Sequence, residues 1–208
     1  MEDWAKQIEE DLNWREAELA SFKILISSAP KGSVRESALL RAIWALLYAH
    51  YEGFCKFAWD LYLDALEKEK VPRSACRDNI ACLSLVNDFK RLRGNLTPGS
   101  IWSFCTSEFP RLMSEPAMFQ IKLETEHNLW PNIFRENAQK IALSTTMIDE
   151  HATRIKTLVA RRNEIAHGQK MIITDLNEYQ KYEDSALLVM HELAVNIIDA
   201  IEEKKHLK

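Results

Sequence analysis

The side chains best suited to chemistry lie between residues 158 and 168, a segment with the sequence LVARRNEIAHG. On a helix, Asn163 and His167 are four residues apart and share one face, whereas Arg162 lies about 140° around the axis from His167. Gly168 is expected to end this helix, so His167 would lie at the negative end of the helix dipole, which favours a charged imidazole. Guanidinium groups bind phosphate well, and histidine exchanges protons near neutral pH. The segment therefore predicts a phosphate site that can transfer protons.

A structural interpretation of the same residues stays open at this point. An Arg and a His at this spacing arise easily by chance in a chain of this length. Most such pairs are a surface Arg and a His that caps a helix. Spacing alone therefore favours a structural role, and the weight of the chemical interpretation depends on the elements that carry the segment.

The composition predicts long helices with few breaks. Five Gly and six Pro are about 5% of the 208 residues, where average usage would give about 12%. So few turn residues argue against sandwiches, barrels and propellers, and no Gly-rich nucleotide fingerprint is present. We expect an all-α fold, an antiparallel helical bundle in one domain over residues 1–208, with residues 71–145 as an insertion of short helices. Its four long helices are predicted at about residues 2–27, 33–70, 146–167 and 175–204.

Within the insertion, short helices are predicted near residues 78–92, 101–113 and 131–143. Residues 118–123 alternate between apolar and polar types, which would also suit a short strand.

The helix at residues 33–70 has the clearest pattern. Ser33 and Glu36 match a capping box, in which the Ser hydroxyl and the Glu carboxylate close the first turn reciprocally. Its middle is apolar on more than one face, which is typical of a central helix or of one at an oligomer interface. The second alternative suggests a dimer.

Charge and cysteine content bound the function. The formal net charge is -4, unlike the basic balance of proteins that coat long nucleic acids. Cysteine and histidine spacings match no zinc site, so we predict neither a metal nor a cofactor. The N-terminus lacks the pattern of a signal peptide, and the longest apolar stretch is far shorter than a membrane span. These features predict a cytoplasmic protein with no membrane partner.

The string RNEIAHG at residues 162–168 closes a penultimate long helix in an all-helical chain. It resembles the signature of the HEPN superfamily, which is an Arg, often followed by a polar residue, with four to six intervening residues before a His. The run RAIWALLYAHYEGFCK at residues 41–56 is similar to the long helix of one prokaryotic branch of that family. The resemblance covers about residues 33–70 and 146–205, and does not extend to the middle third.

Many HEPN proteins are metal-independent endoribonucleases of toxin–antitoxin and antiviral-defence systems, typically dimers whose two motifs face each other across one cleft. The resemblance implies that Arg162 binds the scissile phosphate of RNA. His167 would transfer protons as the ribose 2′-hydroxyl attacks or the 5′-oxygen leaves, and Asn163 would orient one of the two. A homodimer would be the active form, and a cognate antitoxin or a defence complex its partner.

Further residues are candidates for the same cleft. Arg161, Lys156 and Arg154 form either an RNA-contacting rim or a solvated face. His50 and Glu52 lie on the 33–70 helix, where a buried or pairing role is more common than a contribution to the cleft.

Two rival functions remain. One is an HEPN-like dimer that binds a nucleotide or a partner protein without turnover, and the other is a helical interaction protein in which Arg162 and His167 only cap a helix. The presence of Arg162 and His167 together, with polar Asn163 between them, favours the enzyme because a scaffold needs neither. The acidic net charge argues against it, unless the cleft is locally basic or the RNA is short.

Overall fold

The computed structural model of this chain describes residues 3–120, 122–123, 125 and 127–208. Its helices in chain order are α1 (Trp4–Ser27), α2 (Val34–Glu69), α3 (Asp78–Ser84), α4 (Val86–Arg93), α5 (Pro98–Ser103), α6 (Phe109–Ser114), α7 (Pro131–Lys140), α8 (Thr146–Ala166) and α9 (Leu176–Glu202). A 3-10 turn (Arg73–Ala75) precedes α3, and a π-helical turn (Phe104–Glu108) joins α5 to α6. Within the described ranges there is no β-strand, only two isolated bridges. The all-α prediction is confirmed.

The long helix α2 begins at Ser33, but only half of the predicted capping box forms. The Ser33 hydroxyl accepts a hydrogen bond from the Glu36 N–H at 3.1 Å. The Glu36 carboxylate accepts from the Gly32 N–H at 2.6 Å, because the Ser33 N–H already donates to the Pro30 carbonyl at 3.1 Å. Gly32 has a φ of +73°, so the turn before α2 points the Gly32 N–H at the carboxylate.

Helix α2 is the centre of the bundle and contacts α1, α8 and α9. Trp44, Tyr51 and Trp59 on this helix are fully buried, and the Trp44 indole donates to the Leu158 carbonyl of α8 at 3.1 Å. Of the two alternatives for its apolar excess, a central position accounts for these residues, since they are buried within the chain's own core.

Helix α1 packs antiparallel on α2. The Lys68 ammonium lies 4.7 Å from the Trp4 ring near one end, and Arg15 meets the middle of α2 at Gly53. A Cβ atom on Gly53 would lie 3.0 Å from Arg15 Nη1. The Arg15 side chain is held there by Asp11, whose carboxylate accepts from Nε at 2.7 Å. Gly53 therefore makes room for a buried arginine between the two helices.

Helices α8 and α9 also run antiparallel. Arg161 near the end of α8 pairs with Glu178 near the start of α9, and the Met147 N–H at the start of α8 donates to Glu192 at 2.8 Å. Asp175 caps α9 by accepting from the Glu178 N–H at 2.8 Å. This pairing places the C-terminal end of α8 beside the N-terminal end of α9.

The segment at residues 71–145 packs on the same core as the long helices, through Ile80, Leu129 and Phe134. The prediction of a single helix at residues 78–92 is wrong, because the helix is interrupted at Leu85, between α3 and α4. Leu85 is buried in a small separate core with Phe104 and Leu112, and this packing overrides the local helical pattern.

The strand alternative for residues 118–123 is not met in residues 118–120 or 122–123, which are irregular. Ile121 lies outside the described residues, as does the start predicted for α1 at Glu2. No helix in the described part of the chain combines the length and hydropathy needed to cross a membrane.

Candidate functional site

The C-terminal end of α8 has the geometry that its sequence predicts. The last helical residue is Ala166, and the His167 N–H still donates to the Asn163 carbonyl at 2.9 Å. Gly168 has a φ of +73°, in the left-handed region that favours glycine, and its N–H donates to the Ile165 carbonyl at 3.0 Å. His167 is therefore presented at the end of the helix, with its side chain exposed to solvent.

Arg162 lies one turn earlier and points toward α2. Its guanidinium carbon lies 3.7 Å from the centroid of the Tyr48 ring, so the planar cation stacks on the aromatic face. The Tyr48 hydroxyl in turn accepts from the Leu129 N–H at 2.9 Å. The ring is thereby fixed between α8 and the segment before α7.

Two further groups hold the same guanidinium. Arg162 Nη2 donates to the Asn128 side-chain oxygen at 2.6 Å and lies 4.0 Å from the Glu52 carboxylate. Glu52 is itself held by the Thr125 hydroxyl at 2.7 Å and by the Lys56 ammonium at 3.1 Å. Arg162 is thus oriented by α2, Thr125 and Asn128, although its own helix is α8.

The charges of these groups are well defined. Partial burial raises the pKa of the Glu52 carboxyl, but hydrogen bonds from Thr125, Lys56 and Tyr48 outweigh it and leave the pKa below its usual range. Burial raises the pKa of Tyr48 to about 12, so the hydroxyl stays protonated and can donate to Glu52. An anionic Glu52 beside a cationic Arg162 fixes the orientation of the guanidinium.

Arg162 nevertheless keeps unused donors. Its Nε is buried, and neither Nε nor Nη1 donates a hydrogen bond to any residue that the structure describes. The His167 imidazole and the Asn163 side-chain amide also have no hydrogen-bond or ion-pair partner in residues 3–120, 122–123, 125 and 127–208. The site thus combines one positioned cation with unengaged polar groups on the adjoining turn.

The three residues predicted as an RNA-contacting rim face two directions. Arg161 pairs with Glu178 at 2.6 Å, and Arg154 donates to the buried Ser185 hydroxyl at 3.2 Å, so both turn toward α9. Lys156 is exposed on the other side of α8, where it borders a cleft of about 260 Å³ between α7 and α8.

Only one of the two candidates from α2 reaches Arg162. Residues two apart on a helix point about 200° from each other, so Glu52 and His50 cannot share a face. His50 is buried against α1, with Nε2 2.9 Å from the Glu18 carboxylate and Nδ1 3.5 Å from Arg15 Nη1. The structure therefore brings Glu52 to Arg162 and places His50 away from it.

The fold and the helix-terminal motif agree with one known family. The family model described as HEPN_MAE_28990-like HEPN matches residues 4–206. This chain belongs to that HEPN family. Comparisons with curated proteins and with solved structures give no match. The family match also spans residues 71–145. The resemblance in the motif and in the long helix does not extend to that segment.

Three residues of this HEPN site have no counterpart among the residues predicted from the sequence: Tyr48, Asn128 and Thr125. Tyr48 has a recognisable signal, because it lies four residues before Glu52 and so shares its helix face. Asn128 and Thr125 lie in an irregular segment far from the motif in sequence, where no periodicity identifies them. Among the residues described, no group of three or more His, Cys, Asp or Glu side chains is placed to hold a metal ion.

Proposed function

We propose that this HEPN protein is a metal-independent endoribonuclease with a composite site in a homodimer. One observation carries the proposal: Arg162 is held in one orientation by Tyr48, Asn128 and Glu52, whereas His167 is exposed and engages no described residue. A histidine that served only to stabilise the helix end would be expected to make a contact there. An oriented cation and an unengaged imidazole within two turns of one helix end supply the two kinds of group that phosphoryl transfer requires.

In the proposed reaction, Arg162 binds a nonbridging oxygen of the scissile phosphate through its unused Nη1 donors. The ribose 2′-oxygen attacks phosphorus, the bond to the 5′-oxygen breaks, and the products are a 2′,3′-cyclic phosphate and a 5′-hydroxyl. Two proton transfers accompany this step. A base takes a proton from the 2′-hydroxyl and an acid delivers a proton to the 5′-oxygen, and His167 serves as one of these two groups. The attacking group is already part of the substrate, so positioning and charge stabilisation supply most of the catalysis.

A second copy of the chain would complete the site. Two acid–base groups serve the two proton transfers best, and His167 is the exposed histidine that the end of α8 presents among the described residues. A two-fold dimer with the α8 termini facing each other would supply His167 from both copies. The proposed setting is toxin–antitoxin or antiviral defence, where an antitoxin or a defence complex would control the activity; family membership supports this part.

The test is RNA cleavage by the purified protein in the presence of EDTA. We expect wild type to cut RNA, and Arg162→Ala and His167→Ala to abolish the cut while remaining folded. His191→Ala is the matched control, because His191 is an exposed helical histidine whose partner among the described residues is Glu16 on the surface. A substrate with a 2′-O-methyl group at the cleaved nucleotide should resist cleavage, and the new 5′ ends should accept a label from a kinase without prior dephosphorylation.

The controls separate the rival functions. If wild type and His167→Ala degrade RNA equally, the activity comes from a contaminant and the nuclease proposal fails. If wild type binds RNA or a nucleotide but never cuts under conditions that yield folded dimer, the scaffold alternative replaces it. Light scattering that gives only the 24.1 kDa mass of one chain would contradict the composite site.

A further inference from the structure

The exposed side of α8 carries a line of polar groups that leads away from His167. Lys156, Asn163 and His167 are spaced seven and four residues apart, so they lie on nearly the same face of the helix. With a rise of 1.5 Å per residue, the distance along the axis from His167 to Lys156 is about 16 Å. This line therefore begins at the proposed proton donor and ends at a lysine.

At the Lys156 end, the line meets the cleft between α7 and α8. The cleft has a volume of about 260 Å³, and its lining includes Trp130, Asn132, Arg135 and Lys156. Trp130 is partly buried against the main core, which fixes its indole while part of the ring remains accessible. The cleft thus offers an aromatic surface, an exposed amide and a cation at one place.

Of the two cations that line the cleft, Lys156 is the one available to bind a ligand. Arg135 pairs with Asp149, so its charge is offset. Lys156 makes no hydrogen bond or ion pair with any residue that the structure describes. A cation without a partner beside an aromatic ring suits an anionic ligand with a flat, apolar part, which is the chemistry of a nucleotide.

The cleft is also connected to Arg162. The Trp130 N–H donates to the Asn128 carbonyl at 2.9 Å, and the Asn128 side chain accepts from Arg162. One residue of chain therefore separates Trp130, the aromatic wall of the cleft, from Asn128, which orients the phosphate-binding guanidinium. A ligand seated in the cleft and a phosphate at Arg162 would be held by the same short segment.

We infer that the cleft between α7 and α8 is a nucleotide subsite for single-stranded RNA, a few nucleotides away from the bond cleaved at His167. Trp130 stacks on one base, Asn132 meets the edge of that base, and Lys156 binds the adjacent phosphate. A base in a duplex is stacked and paired, so it cannot enter such a cleft, and single strands are the substrate class that fits. This inference rests on the proposed ribonuclease function.

The experiment compares two substrates that differ in reach. A dinucleotide spans the cleaved bond but not the distance of about 16 Å to Lys156, whereas a single-stranded octanucleotide spans both. For the octanucleotide, Lys156→Ala should raise KM about fivefold and reduce the salt dependence of binding by about one charge. For the dinucleotide, Lys156→Ala should match wild type.

One control variant and two further variants keep the result interpretable. Lys31→Ala removes an exposed lysine from the turn between α1 and α2 and should leave both substrates unaffected. Asn132→Ala, also a surface change, should alter the preferred base at one position a few nucleotides from the cut. Trp130→Phe keeps a stacking ring and should retain most of the affinity, even if larger changes at Trp130 disturb the core.

The outcomes distinguish a failure of the subsite from a failure of the proposed ribonuclease function. If cleavage depends on His167 but Lys156→Ala and Lys31→Ala behave alike on the octanucleotide, the subsite is wrong and the nuclease stands. A duplex of the same sequence that is bound as tightly as the single strand by the His167→Ala protein would also overturn the subsite. Cleavage that is independent of His167 would remove the proposed function itself.

Discussion

The Arg162 guanidinium lies flat on the Tyr48 ring, with its central carbon 3.7 Å from the ring centroid. The same ring is anchored at its far end, where the hydroxyl accepts from the Leu129 N–H. Tyr48 thus links the phosphate-binding candidate on α8 to the segment before α7. Removing the hydroxyl alone, and then the ring as well, distinguishes the two contacts.

Substitutions of Tyr48 should divide its contributions to stability and to activity. Tyr48→Phe keeps the stacking surface but leaves the buried Leu129 N–H unpaired, at a cost of about 1–3 kcal/mol in the free energy of unfolding. Tyr48→Leu also loses the stacking surface, and its kcat/KM should be about tenfold below that of Tyr48→Phe, equivalent to about 1.4 kcal/mol. Urea unfolding and cleavage kinetics check the two effects; equal kcat/KM for the Phe and Leu variants would show that the stack does not position Arg162.

Gly168 offers a test of whether the helix end positions His167. Gly168→Ala forces a side chain into a left-handed conformation at φ +73°, which should cost about 1–2 kcal/mol in stability and lower cleavage by displacing the adjoining imidazole. Gly32 has the same φ of +73° and, like Gly168, open space around its Cβ position. Gly32→Ala should therefore lose similar stability by thermal unfolding but retain its cleavage rate. A similar loss of cleavage in both variants would attribute the effect to stability alone.

Gly53 and Arg15 should be coupled. In the wild-type background Gly53→Ala gains helix propensity but places its Cβ 3.0 Å from Arg15 Nη1, so we expect it to destabilise the protein. In an Arg15→Ala background the obstacle is absent, and the same change should stabilise by about 0.5–1 kcal/mol. A double-mutant cycle by urea unfolding measures this coupling. If Gly53→Ala has the same sign in both backgrounds, Arg15 is not the reason for the glycine.

Two carboxyl groups should contribute opposite pH dependences to stability. Glu183 is buried against Lys23, and burial raises its pKa, so the folded state holds the proton more strongly. Its contribution is present below the unfolded pKa of about 4.3 and is lost as pH rises through the higher folded value. The pKa of Glu52 is lowered instead, so its contribution is present above the unfolded pKa and is lost as pH falls through the folded value.

Unfolding measured from about pH 3 to 7 separates these carboxyl contributions with the variants Glu183→Gln and Glu52→Gln. Relative to wild type, Glu183→Gln should become more stable as pH rises, because it lacks a buried group that must ionise. Glu52→Gln should become relatively less stable over the same rise. Parallel curves for wild type and both variants would contradict the two assigned environments.

The sequence predicted the parts of this molecule that follow helical periodicity or local chain geometry. The bounds of α2 and α8 and the end of α8 at Gly168 agree with the structure within one or two residues. These features depend on neighbouring residues, for which spacing and capping rules suffice.

The environment of Arg162 was predicted only in part. Glu52 and His50 are both candidates because they lie on the 33–70 helix, yet His50 faces α1, since the rotation of α2 about its own axis is set by tertiary packing. Asn128 comes from an irregular segment, and the distance in sequence between Asn128 and Arg162 leaves no periodic pattern to connect them. The break at Leu85 has the same cause, because a distant small core decides it.

Thr125, Leu129 and Asn128 contact the long helices at Glu52, Tyr48 and Arg162 respectively, through one polar contact each. The part of the chain between the second and third long helices is therefore not a detachable module. A chain trimmed to its four long helices would retain the motif and its surrounding helices, but the arginine would lose its amide acceptor and its carboxylate would lose a hydroxyl donor. Transplanting α8 alone into another bundle would transfer the residues of the motif without the neighbouring residues that orient Arg162.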